Sequence, residues 1–215
     1  MTAIKWGLGA LAAIGVFLLL TAQPRAEGGV GNPACGTNPG HAGHGTPLLA
    51  SSKNQLAAFA QGCFWGSEER FRKVPGVVAT AVGYQGGHAG NPSYEEVCSD
   101  STGHAETVLI EFDPSKVSYA ELLAFFWKSH DPTSGNAQGP DHGTQYRSAI
   151  FTFSPEQQKA ALLSRDEAQR ALDGRITTEV APAGPFWIAE GYHQQWDERH
   201  GALSCPVPHR ARHKS

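Results

Sequence analysis

The sequence predicts an α+β fold: a two-layer sandwich of helices against a mixed central sheet, with long glycine-rich loops and an irregular C-terminal arm. Three observations lead there. Apolar or β-branched runs at 56–60, 77–84, 107–112 and 148–153 have strand length and are bounded by turn residues. Helix-start signals fall between those runs, after 62, 117 and 153, so strands and helices are mixed along the chain. No internal repeat divides the sequence, and what remains once the ends are set aside has the size of one ordinary domain.

The ends differ in composition from the middle. Lys5 precedes an apolar run of 13 residues at 8–20, and Ala22 or Ala26 offers a cleavage point, so residues 1–22, or 1–26, are expected to be a secretory signal. Counting from Trp6 to Ala22 stretches the run to 17 residues, and an uncleaved membrane anchor is the alternative. Residues 23–52 read as a flexible Gly/Pro/His-rich linker, 53–205 as the folded domain and 206–215 as a flexible basic tail. The expected location is therefore exported, periplasmic or otherwise extracytoplasmic, where paired cysteines are allowed.

The formal net charge of -3 and the lack of a lysine/arginine stripe argue against a nucleic-acid partner, and a monomer is expected. The close histidine pairs, His41/His44 and His209/His213, lie in loose ends, so neither a metal site nor a cofactor is expected. Cys35, Cys63, Cys98 and Cys205 contain no C-x-x-C pair, which excludes a zinc ribbon and a thioredoxin motif; three pairings are possible and the spacing does not choose among them.

The first strand, 56–60, runs into Gly62-Cys63-Phe64-Trp65-Gly66, where a tight turn places a thiol at the start of a helix that Pro75-Gly76 stops. The positive end of a helix and its unpaired N–H groups favour thiolate, the nucleophilic form. After the strand 77–84, residues 85–94 form a glycine-rich loop. The strand 107–112 ends at Asp113-Pro114. Ser118 with Glu121 forms a capping box, and Tyr119, Leu122, Leu123 and Phe126 keep one helical face until Asp131-Pro132. Residues 133–147 read as a second loop, 148–153 as a strand, and Ser154-Pro155 with Gln157 opens another capped helix. Residues 176–180 and 186–189 read as extended, followed by a polar run to Cys205.

Four polar stretches could carry chemistry: Asn91-Pro92-Ser93-Tyr94, Gly103-His104-Ala105-Glu106, the loop from Asp141 through His142 and Tyr146 to Arg147, and Cys205 near the end. Each has an ordinary structural counterpart. Cys63 could be a small buried apolar residue, Glu106 a surface carboxylate, Tyr94 and Tyr146 half-buried phenols, and His104 and His142 structural donors. Cys98 reads as a buried thiol. A cysteine hydrolase pairing Cys63 with His104 or His142 is a rival reading, separated by ester turnover.

Taken together, 62–66, 103–106, 141–148 and His193-Gln194-Gln195 resemble the peptide methionine sulfoxide reductase family, A type, in order and spacing over about 57–205. The resemblance implies thiol-dependent reduction of the S epimer of methionine sulfoxide, free and in proteins. Cys63 matches the nucleophile and Glu106 the proton donor, a role that requires burial to keep the carboxyl neutral. Tyr94 and Tyr146 match phenols that bond the sulfoxide oxygen, Asp141 an acid that fixes the pocket, and Phe64 and Trp65 the apolar wall for the S-methyl group. Cys205 matches the resolving cysteine, which implies a sulfenic acid at Cys63, a Cys63–Cys205 disulfide and a thioredoxin-like reductant that attacks it directly. The chain departs from the family at Trp196, where tyrosine is usual, and at Ala202-Leu203-Ser204 before Cys205.

Overall fold

The expected strands assemble into one six-stranded sheet in the computed structural model, which describes residues 39–41, 49–51 and 53–201. The leader, most of the linker, Cys35, Cys205 and the basic tail lie outside the described residues. No described helix is long and apolar enough to cross a membrane.

Strand β1 (Gln55–Gln61) leads into helix α1 (Phe64–Arg72) and then β2 (Val77–Gln85). A short helix α2 (Tyr94–Cys98) precedes β3 (Ala105–Phe112), and α3 (Tyr119–Ser129) follows it. A two-residue hairpin, β4 (Ala137–Gln138) and β5 (Asp141–His142), and a 3-10 turn over Thr144–Tyr146 lead to β6 (Ser148–Thr152). Helix α4 (Pro155–Ala171), β7 (Glu179–Pro182), β8 (Trp187–Ile188) and α5 (Trp196–His200) complete the described chain. The sheet order is β7-β6-β1-β3-β2-β8, antiparallel except where α4 carries the chain over to pair β7 parallel with β6. The sheet is therefore mixed.

Side-chain alternation divides the sheet's two faces. Phe59, Val82, Val108, Ile110 and Ile150 meet the helices, and Phe59 stacks on Phe71 of α1 at 5.2 Å and Phe126 of α3 at 5.3 Å. The opposite face carries small residues, Ala58, Ala60, Ala105 and Ala149, over which Phe186 and the extended chain leading to β8 pack closely. Both halves of the Ser118/Glu121 capping box form, whereas Gln157 departs from expectation. Ser154 caps the Gln157 N–H, but the Gln157 side chain accepts from Phe153 N–H and donates to the carbonyl of Leu56, joining α4 to β1.

Three stretches differ from the sequence reading. The loop 133–147 contains the β4–β5 hairpin, extended pairing begins at Glu179 rather than 176, and the run before Cys205 contains α5. Within the predicted linker, Pro39–His41 form a 3-10 turn whose Gly40 N–H donates to Glu111 at 2.7 Å. Glu111, 2% exposed, also accepts from Ser51 N–H and the Asn54 amide.

Burial pulls the Glu111 carboxyl upward, but these hydrogen bonds outweigh it and hold the group below the ordinary glutamate range. A carboxyl depressed on folding stabilises the native state above its unfolded pKa of about 4.3, and that contribution disappears as pH falls through the lower folded value. Glu111→Ala is expected to cost about 2 kcal/mol at pH 7 by denaturant titration, with a gap to wild type that narrows under acid. Equal stability at pH 7 would contradict this.

Candidate active site

The site begins where β1 turns into α1. Gly62 has φ +90, and a Cβ there would lie 2.6 Å from the Gln138 side chain of the β4–β5 hairpin, so only glycine lets hairpin and turn meet. Cys63 is the N-cap of α1 and is half-buried. Its carbonyl accepts from the Ser67 hydroxyl at 2.9 Å, and its thiol stands at the positive end of the helix.

Glu106 sits on β3 opposite Tyr84 of β2 and is 2% exposed. Its Oε2 accepts the N–H of Phe64, the residue after Cys63, at 2.9 Å. The sheet thus supplies the acid, the helix start supplies the thiol, and one bond ties them.

The two phenols lie within electrostatic reach of Glu106 and of each other, and Asp141 within reach of Tyr146. Burial raises Tyr146 well above the ordinary tyrosine range, and the charges of Glu106, Asp141, Cys98 and Cys63 push the same way. Burial also raises Tyr94, reinforced by Cys98, Glu106 and Tyr146. Both phenols therefore keep their protons and can donate. Asp141, on β5, is raised by burial against the opposing effect of His142. Phe64 is buried beneath the turn, its ring 6.0 Å from Tyr84 and 5.0 Å from His193, while Trp65 is half-exposed.

The structure thus brings together Cys63, Glu106, Tyr94, Tyr146, Asp141, Phe64 and Trp65. Cys205 lies outside the described residues. Cys98 corrects the expectation of a buried thiol: it is exposed at the end of α2, because Val97 turns into the core. Its thiol is raised by burial against a bond from Tyr94, with Glu106, Glu95 and Asp100 adding to the rise. His104 is 1% exposed and is held down to about 4 by burial, Arg147 and His88, so it is a neutral core group. A Cβ on Gly87 would lie 2.3 Å from its Nδ1. His142 is exposed on β5.

Several supporting residues escaped the sequence reading. Glu190 accepts from the Tyr84 hydroxyl at 2.8 Å and from Tyr94 N–H at 2.9 Å, placing the start of α2. Gln194 exchanges bonds with both backbone groups of Val82 on β2. Gln195, in the left-handed region at φ 48, is held there by Glu68 of α1, whose carboxylate accepts its backbone N–H and its amide, each at 2.7 Å. Burial raises Glu68, opposed by its bonds to Thr80 and Gln195. The only sequence signal was the motif His193-Gln194-Gln195, whose partners lie more than 100 residues upstream.

Comparison with known proteins places this geometry in context. The family model described as peptide methionine sulfoxide reductase matches residues 55–215. A peptide methionine sulfoxide reductase MsrA of Salinispora arenicola is 51% identical over 180 residues, covering 76% of this chain and 82% of its own. One from Methanosarcina acetivorans is 57% identical over 151 residues, covering 69% and 80%. The solved structure of methionine sulfoxide reductase A of Corynebacterium diphtheriae matches with a TM-score of 0.68 at 36% identity, over 80% of this chain and 90% of that one.

The two described thiols should differ in reactivity. At pH 7 the helix-start Cys63 is expected to react with iodoacetamide about tenfold faster than Cys98, whose thiol is pushed up. Peptide mapping of the folded, reduced chain measures both, and equal rates would contradict the assignment.

Proposed function

The chain belongs to the peptide methionine sulfoxide reductase family, and from that premise we propose that Cys63 and Glu106 together reduce the S epimer of methionine sulfoxide, free and in proteins, repairing oxidised chains. The observation that most strongly supports this reading is the bond from Phe64 N–H to the buried Glu106 carboxyl, which holds a proton source against the start of the nucleophile helix.

The thiolate of Cys63 attacks the sulfoxide sulfur while Glu106 delivers a proton to the sulfoxide oxygen. Burial disfavours the charged form of a carboxyl, which suits this transfer, and the Phe64 N–H holds Glu106 Oε2 against the start of the nucleophile helix. Tyr146, kept protonated, donates to the same oxygen as charge builds on it, and Tyr94, also kept protonated, joins it by turning its hydroxyl from Cys98 to the substrate. Asp141 helps to fix the pocket from the hairpin, and Phe64 and Trp65 receive the S-methyl group. In sum, thiolate, sulfoxide and one proton give methionine and a sulfenic acid on Cys63.

The sulfenic acid then condenses with the thiol of Cys205, releasing water and forming the Cys63–Cys205 disulfide. A thioredoxin-like dithiol reopens it by exchange, taking up the disulfide bond itself. The position of Cys205, four residues beyond Gly201 at the end of α5, supports this role. The chain acts outside the cytoplasm, a reading supported by Lys5 and the apolar run at 8–20; retention of that run as a membrane anchor is the alternative.

Dithiothreitol-driven reduction of a chiral methyl sulfoxide is expected for wild type with the S epimer only and to vanish in Cys63→Ser; equal rates in the two proteins would end the proposal. Cys205→Ser should still form one methionine per chain but lose thioredoxin-driven turnover, and undiminished turnover would assign resolution to another thiol.

A further inference from the structure

His193 has no part in the transfer of proton or oxygen described above, yet it is 1% exposed and its ring lies among three pocket side chains. Ring centroids stand 5.0 Å from Phe64, 5.6 Å from Trp65 and 4.7 Å from Tyr94. We infer that His193 is the positioning residue of the methyl-binding wall: by accepting the indole N–H of Trp65, it sets the orientation in which that ring meets the S-methyl group of the substrate. The inference rests on the sulfoxide reductase reading of the site.

Trp65 Nε1 donates to His193 Nδ1 at 2.9 Å. An indole nitrogen only donates, so Nδ1 must carry the lone pair and the imidazole proton resides on Nε2. Nε2 faces Glu190 Oε2 at 3.8 Å, and Glu190 is itself held by the Tyr84 hydroxyl and the Tyr94 N–H. The Trp65 bond alone sets the tautomer and fixes the edge of the indole, while Glu190, too far from Nε2 for a hydrogen bond, lies beside the ring. Burial holds the imidazole below the ordinary histidine range, against the opposing pull of Glu190 and Glu95, and so preserves the neutral form that the bond needs.

The indole has a second support of a different kind. Trp196 stacks on it with centroids 4.5 Å apart and planes 12° from parallel. A stack limits tilt but allows sliding within the plane, because offset arrangements are close in energy. The hydrogen bond acts in the plane and removes that freedom. Its loss therefore changes how the methyl group fits and leaves the proton donor in place.

The test is single-turnover reduction by the reduced full-length chain, reading half-saturating sulfoxide concentration and maximal rate separately. His193→Phe, which keeps a ring but no acceptor, should raise half-saturation about tenfold with maximal rate changed less than about twofold. His193→Asn, whose amide oxygen takes the Nδ1 position, should restore most of the loss; His193→Gln, which reaches toward Nε2, should not. In a Trp65→Phe background, His193→Phe should add no further penalty. Unchanged half-saturation in His193→Phe, or the same penalty in both backgrounds, overturns the inference. If His193→Phe does not fold, equal half-saturation in the Asn and Gln variants overturns it. Wild type without sulfoxide turnover would instead refute the function on which the inference rests.

Discussion

The bond between Phe64 N–H and Glu106 is the constraint on which the site depends. It joins the first turn of α1, which follows Cys63, to Glu106, the second residue of β3. A helix start has more N–H groups than it can satisfy internally, and a buried carboxyl needs a donor. Each group meets the other's need, so the proposed nucleophile and proton source are placed by the same contact that completes the fold locally. Gly62 adds the hairpin to this arrangement, since a side chain there would push Gln138, and with it the strand pair carrying Asp141, away from the turn.

The second constraint is the docking of the C-terminal arm. Gln194 pairs with the backbone of β2 and Gln195 with the buried Glu68 of α1, so the chain reaches Trp196 along a fixed path despite its irregular backbone. Arg72 extends this network, bonding Glu198 of α5 at 2.7 Å and Thr80 of β2 at 3.1 Å. Buried polar groups of this kind specify one arrangement because each is costly if left without its partner. Gly201 is four residues before Cys205 in sequence, so the arm is anchored shortly before the proposed resolving thiol.

Much of the sheet was legible because its strands and their boundaries are written in local pattern. Leu56 to Ala60 and Thr107 to Phe112 lie within β1 and β3, and the capped helix after Ser118 forms with both reciprocal bonds. The α2 and α5 helices have five residues each and the hairpin strands two, too short for periodicity to reveal. They exist because tertiary partners hold them: Glu190 at the start of α2, Glu68 before α5, and Gly62 beneath the hairpin. Cys98 was misread because the five-residue helix turns Val97 inward and leaves its neighbour outside. The candidate site residues were proposed from motif order, and the structure brings the described ones together, but the contacts of Glu190, His193 and Glu68 were hidden by sequence separation.

The central claim is that Glu106, held by the helix start, supplies the proton to the leaving oxygen. The pH dependence of the maximal single-turnover rate tests it most directly. Wild type should show a limb rising as Cys63 ionises and another falling as the donor loses its proton, while Glu106→Gln should be slow and lack the falling limb. A falling limb of the same position and amplitude in Glu106→Gln would assign proton delivery to another group and contradict the account.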